Sequence, residues 1–142
     1  MAEDFDLDRF LPASDGMYAL ALAEIRAGRK QRHWMWFIFP QLAGLGRSER
    51  ARHFGLSGAA EAAAFLAHPV LGPRLLAIAR EMLAHEGRDA AAILGAADAR
   101  KLRSCATLFA AVEGADPVFD RLLEAFFAGE ACPLTAAALG QG

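Results

Sequence analysis

Only one stretch of this chain, Trp34 to Phe39, has the unbroken apolar character of a buried strand, and no second run of β-branched residues exists to pair with it. A lone strand leaves its backbone N–H and C=O groups without partners. The stretch is therefore expected to be helical or irregular and to break at Pro40, which leaves helices as the only framework. The remaining punctuation agrees. Asp6 or Asp8 suits the cap of a short turn carrying Phe10 and Leu11, and Ser14 that of a helix reaching Ala27, where Gly28 stops it. Glu24 interrupts the apolar stripe of that helix, so only part of it is expected to be buried.

Further along, Ser48 caps a short basic helix to Phe54, and Ser57 a helix ended by His68-Pro69, since a residue before proline avoids helical angles. Pro69 or Pro73 suits the first turn of a helix to about His85, with Gly87 as its stop. Asp89 heads a short helix ending at Leu94-Gly95, Asp98 one reaching Glu113, and Asp116-Pro117 the last full helix, closed by Gly129. Pro133 to Leu139 adds a turn or two. With 55% hydrophobic and 23% charged residues in a chain of 142, this predicts a single all-α domain, residues 1–142, of six to eight helices crossing at varied angles.

Composition narrows the function classes. No apolar stretch approaches the ~20 residues that span a bilayer, so no membrane is expected. The acidic start from Met1 to Asp4 lacks the layout of a secretory signal. Cys105 and Cys132 read as reduced thiols of a cytoplasmic protein. His33, His53, His68 and His85 are scattered, without the spacing of metal ligands, and Gly44-Leu45-Gly46 lacks the third glycine of a phosphate loop. No metal and no cofactor are expected. Cys105 falls on the apolar face of its helix, where a cysteine acts as a small hydrophobe and not as a nucleophile.

Charge distribution says more than the net charge of −2. Between Arg26 and Arg52 there are seven cations against Glu49 alone, an excess of six that leaves −8 for the other residues. The first 25 residues set Glu3, Asp4, Asp6, Asp8, Asp15 and Glu24 against Arg9. The basic segment either faces an anionic partner or is neutralised by the protein's own acidic arm. Behind it, Trp34 and Trp36 lie about 200° apart on a helix, so only one can be wholly core. The other needs a second core or a pocket.

The run His33-Trp34-Met35-Trp36-Phe37-Ile38-Phe39-Pro40-Gln41, followed by Leu42-Ala43-Gly44-Leu45-Gly46, resembles the signature of the family called domain of unknown function 1810, which is grouped with an uncharacterised mycobacterial protein. The block Phe65-Leu66-Ala67-His68-Pro69-Val70-Leu71-Gly72-Pro73 is similar to its middle, Lys101-Leu102-Arg103-Ser104-Cys105 to its later part, and Asp6-Leu7 with Arg9-Phe10 to its opening. The resemblance implies a mostly helical fold without an established activity, and it centres on His33, Trp34, Gln41, Lys101 and Ser104. Where the family pattern often has a serine before the His-Trp pair, this chain has Arg32.

The expectation that follows is a small anionic, nucleotide-like ligand beside the His-Trp-Met-Trp motif. Trp34 or Trp36 would stack on it, Arg29, Lys30 and Arg32 would meet phosphate, Gln41 would read a base edge, and Lys101 and Ser104 would complete the site. His33 would serve as donor or general acid in a hydrolysis. One rival is single-stranded nucleic acid held by the Arg26–Arg52 segment, which suits the local charge better than duplex. Another is a protein-interaction module with both indoles structural.

Overall fold

The structure, a computed structural model, describes residues 5–140, so the Met1 to Asp4 start, with Glu3 and Asp4 of the acidic arm, lies outside the described residues. A 3-10 turn over Leu7–Phe10 runs directly into α1 (Leu11–Ala27). The helix thus begins earlier than a cap at Ser14 would allow. Pro12 occupies its first turn, where a missing N–H costs no hydrogen bond, and the buried Ser14 hydroxyl instead accepts from Arg74 at 2.8 Å. At the other end Gly28 takes a left-handed φ of 75° and Arg29 donates its N–H to the Glu24 carbonyl. Glycine takes this φ without steric cost, and a Cβ there would also displace the Arg88 guanidinium, 2.2 Å away.

The apolar run becomes α2 (Met35–Ile38), a single turn ended at Phe39-Pro40. Next is α3 (Glu49–Phe54), where the Ser48 side chain accepts the Ala51 N–H as the capping pattern requires. An isolated bridge ties the two sides of this segment together. Ala43 donates to the Leu56 carbonyl at 2.7 Å and Leu56 to that of Gln41 at 3.0 Å, fixing the loop that carries Gln41.

Helix α4 (Ala59–Ala67) is entered through Gly58, one residue later than a Ser57 cap implies. The Ser57 N–H is taken instead by the Glu61 carboxylate at 2.8 Å, which also receives Arg9. From His68 the chain turns by 93° into α5 (Leu71–Leu83). Gly72 permits this corner, because a Cβ there would lie 2.1 Å from the Leu66 carbonyl oxygen. Then follow α6 (Ala90–Leu94), capped by Asp89, α7 (Ala96–Ala110), α8 (Val118–Phe127), with Asp116 accepting the Val118 N–H, and α9 (Pro133–Gly140). Asp98 lies inside the first turn of α7 and does not cap it. The described residues therefore hold nine α-helices, more than the six to eight anticipated because α2 and α9, expected as a helical or irregular run and as an added turn or two, both close as helices.

A train of aromatic contacts joins the ends of the chain. Phe37 meets Phe54, Phe54 meets Phe10, Phe10 meets Phe65, Phe65 meets Phe109 and Phe109 meets Phe119, with ring centroids 5.1 to 5.7 Å apart. Such pairs contribute about 0.5–1.5 kcal/mol each beyond burial. They lock the N-terminal turn, α4, α7 and α8 around one core. Among the described residues no single helix is long and apolar enough to cross a membrane.

Candidate functional site

The two tryptophans divide as their angular separation requires. Trp34 is 0% exposed, whereas Trp36 keeps part of its ring at the surface. Trp34 buries an indole N–H, which must find an acceptor, and Glu24 supplies it. Glu24 Oε1 accepts Trp34 Nε1 at 2.9 Å together with the backbone N–H groups of Gln31 at 2.7 Å and Arg32 at 3.0 Å. Oε2 takes the Arg32 guanidinium at 2.6 Å. Burial raises the Glu24 carboxyl, but these four bonds outweigh it and hold the group at about 2. The residue that breaks the apolar stripe of α1 is therefore a buried clasp for the aromatic run.

This geometry corrects three ligand-binding expectations. Trp34 is core and offers no face to a ligand. Arg32 is committed to Glu24. Lys30, its side chain only 8% exposed, lies 4.9 Å from the Trp34 ring centroid and pairs with Asp98 at 2.7 Å. Arg29 is exposed and held through its backbone. His33 is exposed as well and does not line the groove described next. Among the described residues the acidic arm neutralises little of the basic segment. Glu24 serves Arg32, but Asp15 goes to Arg74, while Arg26 and Lys30 find Glu81 and Asp98 much later in the chain.

Three of the expected residues converge on one groove, and a fourth, Trp36, stands beside it. A surface groove of about 360 Å³ is lined by Gln41, Leu45, Lys101 and Ser104 together with Arg100, Cys132 and Leu134. Trp36 stands at its edge: it shares a smaller recess with Gln41, and Lys101 Nζ lies 4.8 Å from its ring centroid. Arg50 lies over the same ring at 5.2 Å. Cation–π contacts of this kind are worth about 0.5–1 kcal/mol when exposed, enough to orient Trp36 but weak enough to be exchanged. Lys101 also donates to Asp98 Oδ1 at 3.0 Å, so one carboxylate joins the two lysines beside the two indoles. Burial raises Asp98, and the hydrogen bonds and charges of Lys30 and Lys101 outweigh it and keep the carboxyl below its ordinary value.

The floor of the groove is a chain of hydroxyls. Ser104 Oγ is buried and shares a 2.8 Å bond with Thr135 Oγ1, which donates to Cys132 Sγ at 3.4 Å. The Cys132 N–H is taken by Thr107 Oγ1 at 2.8 Å. Burial raises the Cys132 thiol, but the Thr135 hydroxyl, the amides of Thr135 and Leu134 at the start of α9, and Arg103 outweigh it and hold the thiol below its usual value. Cys105, fully buried, is pushed well up. Ser104 thus supports the groove through Thr135 and does not present a free hydroxyl. Arg100 and Cys132 are additions to the expected set. Their signals were local: a cation beside Lys101 near the start of α7, and a cysteine directly before the proline that opens α9.

The family model described as "Protein of unknown function (DUF1810)" matches residues 4–139. Among solved structures, the crystal structure of the conserved hypothetical protein Rv1873 from Mycobacterium tuberculosis is similar at 43% identity, covering 97% of this chain and 99% of that one, with a TM-score of 0.94. No curated protein matches significantly.

Proposed function

The chain belongs to the DUF1810 family, and we propose that it binds a small anionic, nucleotide-like ligand in the groove between the Gln41 loop, α7 and the start of α9. One observation carries the reading: Gln41, sixty residues before Lys101 in sequence, meets Lys101 and Ser104 of α7 in one groove of about 360 Å³ that also holds Arg100. Its polar half offers a guanidinium, an ammonium and a carboxamide to an anion. Its other half, Ala97, Leu45 and the 70% exposed Leu134, offers apolar contact to a ring system. The reading is of binding, because His33, the group expected to drive hydrolysis, lies outside the lining. Two free thiols fit a reducing cytoplasmic setting.

Trp36 supplies the test. A ligand anion draws Lys101 from the indole face and changes its emission, while Trp34 stays silent behind Glu24. Tryptophan fluorescence should respond to members of a panel of nucleoside mono- and diphosphates, ADP-ribose and cyclic nucleotides, and the response should vanish in Trp36→Phe and weaken in Lys101→Gln. Silence across the panel, with no heat by calorimetry, rejects the reading.

A second reading, single-stranded nucleic acid, is favoured by Arg47, Arg50 and Arg52, which stand exposed around α3 and form no ion pair among the described residues. Binding of an oligonucleotide that falls steeply between 50 and 200 mM salt supports it, and unchanged mobility at low salt rejects it.

A further inference from the structure

Lys101 belongs to a charge-sharing arrangement that suits one class of anion. Asp98 receives Lys30 at 2.7 Å and Lys101 at 3.0 Å, so two ammonium groups share a single carboxylate. Lys30 is the more deeply buried partner, and with its ring contact to Trp34 it forms a fixed positive base. Lys101 is the more exposed of the two and reaches the groove. Arg100, exposed beside it, adds a third cation to the same wall. Three cations against one carboxylate leave an excess of two positive charges, and the groove's lining contains no aspartate or glutamate. Nearby, Arg103 is answered by Glu130, so that pair adds nothing to the excess.

We infer that the groove takes a dianionic phosphate monoester, its excess of two charges being set by Arg100 and the Lys30–Asp98–Lys101 bridge, with Asp98 as the residue that positions Lys101. The inference deepens the proposed anion binding and rests on it. A terminal phosphate presents three oxygens on one rotor, which the Arg100 guanidinium, the Lys101 ammonium and the Gln41 carboxamide can meet from different sides. A cyclic phosphodiester carries one negative charge and offers two free oxygens, so it satisfies half of the excess. Asp98 limits the opposite error. Because it already engages Lys101, a weak or singly charged anion must compete with a carboxylate held at hydrogen-bond distance, whereas a dianion can share the ammonium with it.

The test is calorimetric titration of the intact protein at pH 7.5 with AMP, cyclic AMP and adenosine, with inorganic phosphate as competitor. AMP should bind at least about tenfold more tightly than cyclic AMP, the scale of one charge-assisted hydrogen bond. Adenosine should be weaker again, and inorganic phosphate should displace AMP. Arg100→Gln and Lys101→Gln, both at solvent-reachable positions, should each bring the AMP to cyclic AMP ratio close to one. Arg29→Gln, an exposed cation outside the groove's lining, should preserve the ratio. In Asp98→Asn, if folded, the excess rises and Lys101 is released, so the preference should move from AMP toward ADP. A purely structural Asp98 would weaken both ligands alike. Equal binding of AMP and cyclic AMP, with both lost in Lys101→Gln, overturns this inference and leaves the anion-binding reading standing. No binding of either overturns both.

Discussion

Replacing Glu24 by alanine removes the acceptor on which the aromatic run depends, and the structure permits a magnitude. Oε1 serves three N–H donors at 2.7 to 3.0 Å and Oε2 serves Arg32 at 2.6 Å. The Arg32 side chain is 50% exposed and the two backbone donors are only partly buried, so water can replace much of what they lose. Trp34 Nε1 has no such recourse, and an orphaned buried donor costs about 1–3 kcal/mol. With the partly solvated charged bonds included, Glu24→Ala should cost about 2–4 kcal/mol. Urea unfolding followed by far-UV circular dichroism should show a midpoint lower by about 1–2 M, for a slope near ~2 kcal/mol/M. Adding Trp34→Phe to Glu24→Ala removes the orphaned donor and should show a coupling of at least about 1 kcal/mol in a double-mutant cycle. The same carboxyl has an acid signature. Held at about 2 when folded against an unfolded value near 4.5, it contributes stability that is complete above pH ~4.5 and disappears as pH falls through ~2, about 3 kcal/mol in all. Glu24→Gln should flatten the stability profile across that window. An alanine variant within about 1 kcal/mol of the parent, or a cycle without coupling, refutes the clasp.

Two further predictions concern packing and the thiols. Gly72→Ala places a Cβ against the Leu66 carbonyl and should destabilise the α4–α5 corner by about 2–3 kcal/mol. In contrast, Gly16→Ala, whose Cβ meets nothing within 4 Å inside α1, should stabilise by about 0.5–1 kcal/mol; thermal denaturation of the pair checks the opposite signs. Mass spectrometry after brief iodoacetamide treatment should find Cys132 alkylated and Cys105 untouched until denaturant is added. Equal labelling of both would contradict the packing of α7 against α9.

What could be read from the chain was whatever depends on neighbours in sequence. The Ser48 and Asp89 caps act on N–H groups two or three residues away, so spacing alone located α3 and α6. The all-helical class followed from the absence of any partner run for Trp34 to Phe39. Starts that depend on distant residues were misplaced. Ser14 fits a cap by type, but Arg74, sixty residues on, takes its hydroxyl, and Ser57 yields to Gly58 because Glu61 and Arg9 organise that corner. The site divides in the same way. The angular separation of the indoles implied one buried and one partly exposed ring, and the resemblance directed attention to Gln41, Lys101 and Ser104. The cations before Trp34 formed an attractive local cluster, yet Glu24 and Asp98 engage two of them, a pairing that no local pattern encodes. Arg100 and Cys132 became part of the groove only once α7 and α9 were packed together.

The most direct test of a ligand groove beside Trp36 uses the two indole N–H signals as separate reporters. In nitrogen-15 correlation spectra titrated with AMP, the account predicts that the Trp36 indole and the amides of Gln41, Arg100, Lys101 and Cys132 shift together along one binding curve, while the Trp34 indole, bonded to Glu24, stays fixed. Shifts centred on Arg29 to His33, or no shift in any of these signals at millimolar AMP, would contradict it.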